Sequence, residues 1–355
     1  MAGETLYLRP IGLLYGAPAE AATAEGLALP LAGGPIAFAA AELIEGTPGR
    51  AKRRLFTPHA LAASGDPELG VLLKRVTAKR PPFAGLSVDR PVLMGIVNVT
   101  PDSFSDGGLF DTKEAAIAQA AELAAAGAAI VDIGGESTRP GSDPVEESEE
   151  ADRVVPVIEG LHGLPAVISV DTRKASVARA AAKRGASILN DVSALTNDPR
   201  CLHVAVEAGL SLVLMHAQGE PKTMQDDPRY DDVVLQVFDY LAARIEAAEA
   251  AGIERSRIAA DPGLGFGKTL AHNLALLAHT SLFHGLGVPL LVGASRKRFI
   301  QGVSGGSEPR GREAGSHAAA IAATAQGAQI LRVHDVAGTS QALAVWRAAT
   351  FGTEN

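Results

Sequence analysis

The sequence predicts an α/β fold, a (β/α)8 TIM barrel with a small N-terminal α+β extension. Three observations predict it. From Pro91 onward, eight short apolar runs rich in β-branched residues alternate with Ala-rich segments of helical period. Each run is followed within three residues by a polar one. The chain of 355 residues also exceeds the roughly 250 that a barrel uses, which leaves room for one small additional unit. Eight parallel strands, each followed by a helix, close into a barrel, whereas doubly wound open sheets commonly have fewer strands.

Residues 1–85 stand outside the repeat. There, 7–15 and 36–44 read as strands, and Asp66-Pro67 reads as the cap and first turn of a helix running to Thr77. Pro81-Pro82 reads as a linker. This segment reads as a packing or accessory unit with no chemical role of its own. The catalytic barrel, 90–352, follows, with strands at 92–97, 129–133, 166–170, 187–189, 211–215, 257–260, 289–292 and 329–333. Its helices read as 113–126, 147–161, 175–184, 198–208, 231–251, 271–284, 312–326 and 340–349.

Composition excludes several function classes. Hydrophobic residues make up 47% of the chain and charged residues 20%, so a substantial core is available and wholesale disorder is not expected. The net charge of -8 repels a phosphate backbone. The basic groups Arg50, Lys52, Arg53, Arg54 and Lys74, Arg75, Lys79, Arg80 have no interleaved aromatic residues for stacking bases, and read as solvated faces. No nucleic-acid partner is expected. Cys201 is the only cysteine, which rules out an internal disulfide or a multi-cysteine zinc site. The apolar stretch 27–41 is broken by Pro30, Gly33, Gly34 and Pro35 and is shorter than the ~20 residues of a membrane span. With no signal-peptide pattern at the N-terminus, a soluble cytoplasmic protein without membrane partners is expected.

In a barrel, the carboxyl end of each strand faces the catalytic mouth. The polar residues there are Asn98, Glu136 with Thr138, Asp171, Asn190 with Asp191, His216, Asp261, Ser295 with Lys297, and Arg332 with His334. Any one of them alone fits a helix cap or a buried hydrogen-bonded group. Together, Asp171, Asn190 and Asp261 suit a flat heterocycle presenting N–H groups beside ring nitrogens. Arg332 and His334 place a fixed cation beside a switchable one, an anion site where barrels often hold phosphate. By contrast, Gly263 to Thr269 (GLGFGKT) only resembles a phosphate loop: Pro262 stands where the first glycine belongs, so it reads as a tight barrel loop.

The stretch from Met94 to Gly108, MGIVNVTPDSFSDGG, resembles the first-loop motif of the dihydropteroate synthase family. Gly134 to Gly141 (GGESTRPG), Ser169-Val170-Asp171-Thr172, Asn190-Asp191, Asp261-Pro262-Gly263, Ser295-Arg296-Lys297 and Arg332-Val333-His334-Asp335 are similar to its later motifs, in order over about residues 90–350. Ala217 and Leu264 depart from the commonest family residues, and so does the N-terminal extension.

The resemblance implies a transferase of folate biosynthesis that joins 4-aminobenzoate to a dihydropterin methyl diphosphate. It implies a Mg2+ ligand at Asn98. It assigns the pterin to Asp171, Asn190, Asp261 and Lys297, with catalytic roles for Asp171, Asp261 and Lys297, and the pyrophosphate to Thr138, Arg332 and His334. Pro140, Phe266, Ser295 and Lys297 are implied for the aminobenzoate pocket, on mobile loops. A homodimer is plausible by the same resemblance. Two other readings remain: a pterin-dependent methyltransferase barrel that needs a corrinoid partner, and a catalytically silent pterin-binding paralogue.

Overall fold

The computed structural model describes residues 5–100, 109–137, 142–220, 222–305 and 308–352. The N-terminal unit is built on two long strands. β1 (Leu6–Tyr15) runs antiparallel to β3 (Ile36–Glu45), with Leu6 opposite Glu45 and Tyr15 opposite Ile36. The helix α1 (Gly16–Ala24) and the short β2 (Leu29–Pro30) lie between them in sequence, and β2 pairs with β3. A fourth strand, β4 (Lys52–Phe56), was not anticipated: its run of cations hides any alternation of apolar residues, as suits an exposed sheet edge.

After α2 (Pro58–Ala62), α3 (Pro67–Thr77) starts where Asp66-Pro67 indicates. The Asp66 carboxylate accepts from the Glu68 and Leu69 amides at 2.9 and 3.2 Å. Leu69, Leu72 and Val76 of α3 close over Leu8, Phe38 and Leu43 of the sheet.

The barrel strands are β5 (Val92–Asn98), β6 (Ile130–Gly134), β7 (Val167–Asp171), β8 (Ile188–Asp191), β9 (Ser211–Met215), β10 (Ile258–Asp261), β11 (Leu291–Val292) and β12 (Ile330–Val333). Their order is β10-β9-β8-β7-β6-β5-β12-β11, and a parallel bridge from Ala260 to Leu290 joins the two ends. Eight parallel strands therefore close, as expected.

Strand side chains alternate between faces. Val92, Met94, Ile130, Ile188, Val213, Ala259, Leu291 and Ile330 fill the lower interior. Val97, Val131, Ile133, Val170, Leu189, Leu212 and Leu214 pack outward under the helices. Two residues further along the inward rows stand Asp132, Asn190, Asp261 and Arg332, so the interior turns polar as it nears the mouth. Phe83 and Val88, just after the Pro81-Pro82 linker, plug the opposite end.

The surrounding helices are α4 (Leu109–Ala125), α5 (Glu147–Gly160), α6 (Ala175–Ala182), α7 (Arg200–Ala208), α8 (Val233–Ala250), α9 (Leu270–Ala278), α10 (Arg298–Ser304), α11 (Glu313–Thr324) and α12 (Val336–Phe351). Two expectations are corrected, and one helix was not anticipated. The helix expected over 198–208 begins at Arg200, because Asp198 turns its carboxylate to the Ala175 amide and to Arg200. The one expected over 271–284 divides into α9 and a 3-10 turn, Thr280–Leu286. The short α10, rich in polar residues and glycine, was missed.

The N-terminal unit docks along α8 and this 3-10 turn. Tyr7 and Ile44 join the barrel's outer core, with the Tyr7 ring edge-on to Phe238 at 5.4 Å. The Tyr7 hydroxyl reaches the Asp239 carboxylate at 2.9 Å, and the Tyr15 hydroxyl donates to the Ala325 carbonyl at 2.7 Å. No helix among the described residues is long and apolar enough to cross a membrane.

Candidate active site

At the carboxyl ends of the strands, charges from opposite sides of the barrel meet. Arg332 of β12 donates from Nε to Asp132 of β6 and from Nη2 to Asp171 of β7, both at 2.7 Å. Asn190 of β8 donates to the same Asp132 oxygen at 3.0 Å. The other Asp132 oxygen, Oδ1, is buried without a hydrogen-bond partner. A buried acceptor left open in an otherwise satisfied network is suited to a ligand N–H. Gly134 and Gly293 keep space clear around these groups: a methyl on Gly134 would lie between Asp171 and Asn98, and one on Gly293 between Lys297 and Asp261.

Sequence reasoning missed Asp132, because it looked at strand ends and this residue lies one inward step deeper. The signal was present: an acid inside Ile130–Gly134, two residues after an inward-facing isoleucine.

Opposite this network, Asp261 of β10 accepts from the Gly263 amide at 2.7 Å. Lys297 donates to the Leu264 carbonyl, and its ammonium sits 4.6 Å from the centre of the Phe266 ring. The loop after β10 that carries Phe266 is fastened along its length. Asn273 accepts from the Gly265 amide at 2.6 Å, Gln225 donates to the Gly265 carbonyl at 2.5 Å, and Tyr230 donates to the Gly267 carbonyl at 2.9 Å. Beneath it, Lys268 Nζ meets His216 Nδ1, the His216 carbonyl and the Phe266 carbonyl at 3.0, 3.2 and 3.0 Å. This loop was expected to be mobile; the structure gives it a dense set of anchors. Its two tightest glycines explain the false resemblance to a phosphate loop, since Gly263 and Gly267 have φ of +69° and +61° and press against the carbonyls of His216 and Gln218.

Burial sets the protonation tendencies. It pushes the Asp171 carboxyl above the usual range, with Arg332 pulling it back. It raises Asp261 likewise, against the Lys297 charge and the Gly263 amide. It lowers the Lys297 ammonium to about 8, with Asp261 holding it up. At Arg332 burial opposes the charge, yet Asp132 and Asp171 outweigh it and raise the pKa. His216 is driven down to about 2 by burial and by Lys268, so it stays neutral, and Lys268 itself is lowered by burial.

The other strand-end residues divide by role. Ser295 and His334 form a pair, with Oγ and Nδ1 3.0 Å apart. Asp191 is taken up structurally by the Ser193 and Leu195 amides at 2.7 and 3.1 Å, and Glu136 by Arg173 and Lys174. His216 belongs to the lysine network described above. Arg332 was expected to face an anion; its Nε and Nη2 are instead committed to carboxylates. Thr138 and Pro140 lie outside the described residues, as do Gly107 and Gly108 of the first loop and Gly141 of the second. Asn98 stands at the end of β5, partly exposed, and no other described residue bonds its side chain. An amide oxygen that no described residue engages is a hard donor of the kind a divalent cation such as Mg2+ takes.

Comparison with known proteins agrees with this geometry. Residues 94–334 match the family model described as "Pterin binding enzyme". The chain is 48% identical over 271 residues to dihydropteroate synthase of Escherichia coli (strain K12), covering 76% of this chain and 95% of that one. Among solved structures, dihydropteroate synthase of Xanthomonas albilineans with 4-aminobenzoic acid superposes with a TM-score of 0.71 at 51% identity, covering 75% of this chain and 96% of that one. The same enzyme in complex with 7,8-dihydropteroate gives 0.68 at 49% identity, with coverage of 74% and 95%. The chain belongs to the dihydropteroate synthase family of pterin-binding enzymes.

Proposed function

We propose that this chain is a dihydropteroate synthase, condensing (7,8-dihydropterin-6-yl)methyl diphosphate with 4-aminobenzoate to give 7,8-dihydropteroate and diphosphate. The observation that carries the reading is the buried Asp132, Arg332, Asp171 and Asn190 network with its one open acceptor, Asp132 Oδ1. A pterin edge presents adjacent ring and exocyclic N–H donors, which suit Asp132, Asp261 and the Asn190 carbonyl oxygen. Lys297 donates to the ring's acceptors while packing on Phe266.

In the reaction the methylene C–O bond breaks as the C–N bond to the aromatic amine forms. Diphosphate leaves with the bonding electron pair, and the amine proton passes to solvent. The dihydropterin donates electron density to the methylene, so bond loosening leads. Asp171 and Asp261 stabilise the positive charge that develops on the ring. His334, Thr138 and Arg332, through its remaining Nη1, receive the diphosphate. Mg2+ held through Asn98 would offset the leaving group's negative charge. Phe266, Ser295 and Pro140 wall the 4-aminobenzoate site, and the filled pterin site completes it, which orders binding with the pterin first.

Calorimetry tests this order. Aminobenzoate should bind at least about tenfold more tightly once the pterin site and diphosphate are in place. Equal binding without them contradicts the ordered site. Methyl transfer to a corrinoid protein would point to the methyltransferase reading, and pterin binding without turnover to a silent paralogue.

A further inference from the structure

Far from the mouth, Arg80 is 95% removed from solvent, being 5% exposed, and no carboxylate among the described residues pairs with it. Its Nη1 donates to the carbonyls of Arg75 and Ala78 at 2.8 and 2.9 Å, and its Nη2 to that of His284 at 3.0 Å. These carbonyls end α3 and the 3-10 turn and supply partial negative charge. They do not complete the guanidinium: Nε is buried without an acceptor. Burial, and next the neighbouring cation Arg255, lower its pKa to about 10. A buried cation with no counter-charge is strongly unfavourable, and a bound anion relieves it.

Arg80 lines a small cavity of about 50 Å³ between the turn at 31–36, the segment ahead of β5 and the last turns of α11 and α12. Arg90 and Arg347 add two cations to its wall, each with interactions of its own. The acid in the lining, Asp89, is engaged by Lys79 at 2.9 Å. Trp346 and Phe351 give it an aromatic side, their rings edge-on at 5.7 Å. The cavity opens at the N-terminal ends of β5 and β12, the face opposite the candidate active site, and none of that site's residues lines it.

We propose that this cavity is a binding site for a small oxyanion, a phosphate or a carboxylate, which seats on Arg80 with Arg90 and Arg347 and ties the N-terminal unit to the barrel. Guanidinium groups recognise both anions through the same forked donors.

Trp346 is the only tryptophan in the chain, so its emission reports on this cavity and not on the mouth. The experiment titrates the full chain, at constant protein concentration, with inorganic phosphate and separately with benzoate. A saturable change in Trp346 emission is expected from at least one of them. A response to phosphate alone assigns a compact anion, and one to benzoate alone an aryl carboxylate. The apparent Kd should rise at least about tenfold in Arg90→Ser and in Arg80→Met, and stay unchanged in His334→Ala, which removes an anion contact in the mouth. No saturable change with either ligand overturns the proposal. So does a response undiminished in Arg90→Ser. Arg90 is exposed and its substitution leaves the cap of α3 intact, so the titration decides the matter even if Arg80→Met does not fold.

Discussion

Asp132 sits where three demands converge: it orients Arg332, orients Asn190 and leaves one oxygen open at the centre of the barrel. Removing it with Asp132→Ala deprives Arg332 of one of two buried partners, a loss of about 3 kcal/mol or more by the usual behaviour of broken buried pairs. On this account kcat/KM for the pterin substrate falls at least about a hundredfold, and unchanged kinetics would remove Asp132 from the site. Lys297 gives a pH-dependent outcome. Its ammonium is lowered to about 8, so affinity for the anionic pterin substrate should decline as pH rises through that value, and Lys297→Met should abolish the decline. The sign for folding is opposite. Between about 8 and the unfolded value near 10.4, the unfolded chain holds a proton that the folded chain has released, so this group's contribution to stability rises with pH. Residue type and strand-end position made Asp171, Asn190, Asp261 and Lys297 legible in the sequence. Asp132 was less so, because it sits mid-strand and only the inward alternation marks it. The commitment of Arg332 to two carboxylates was not legible at all, since β6 and β7 meet β12 only through the closed barrel.

The loop after β10 shows how an element can shape a pocket without supplying its chemistry. Lys268 ties the Phe266 carbonyl to His216 of the neighbouring strand end, so it holds the wall assigned to 4-aminobenzoate. Lys268→Met should raise KM for 4-aminobenzoate about tenfold while the Kd for the pterin substrate changes little, because small misplacements of a substrate wall are costly. Equal loss for both substrates would mean a general structural role. Gly267→Ala should be worse for folding: its added methyl would stand 2.2 Å from the Gln218 carbonyl at a φ of +61°, and a fall in Tm measured by calorimetry checks it. Strands and long helices were readable because their periods are set by burial. The division of α9 from its 3-10 turn, the short α10 and the charged edge strand β4 were not, because tertiary contacts rather than local pattern fix them.

At the scale of the whole molecule, the N-terminal unit shares its core with the barrel through Tyr7 and Ile44, and Phe83 closes the barrel floor. Sequence could place the strands 7–15 and 36–44, but not the surface they cover, since that surface exists only once α8 and the 3-10 turn are assembled. Tyr7→Phe removes the bond to Asp239 and leaves a half-buried carboxylate short of a donor, so it should lower stability by about 1 kcal/mol, seen as a Tm lower by about 1–2 degrees. An unchanged Tm would mean that the two units are held together elsewhere. The chemistry itself is tested most directly by mixing the purified chain with Mg2+, dihydropterin methyl diphosphate and 4-aminobenzoate, and quantifying diphosphate and dihydropteroate together, with Arg332→Ala alongside. The account predicts equimolar formation of both products, lost in the variant. Diphosphate release without dihydropteroate, or turnover indifferent to Arg332, would contradict it.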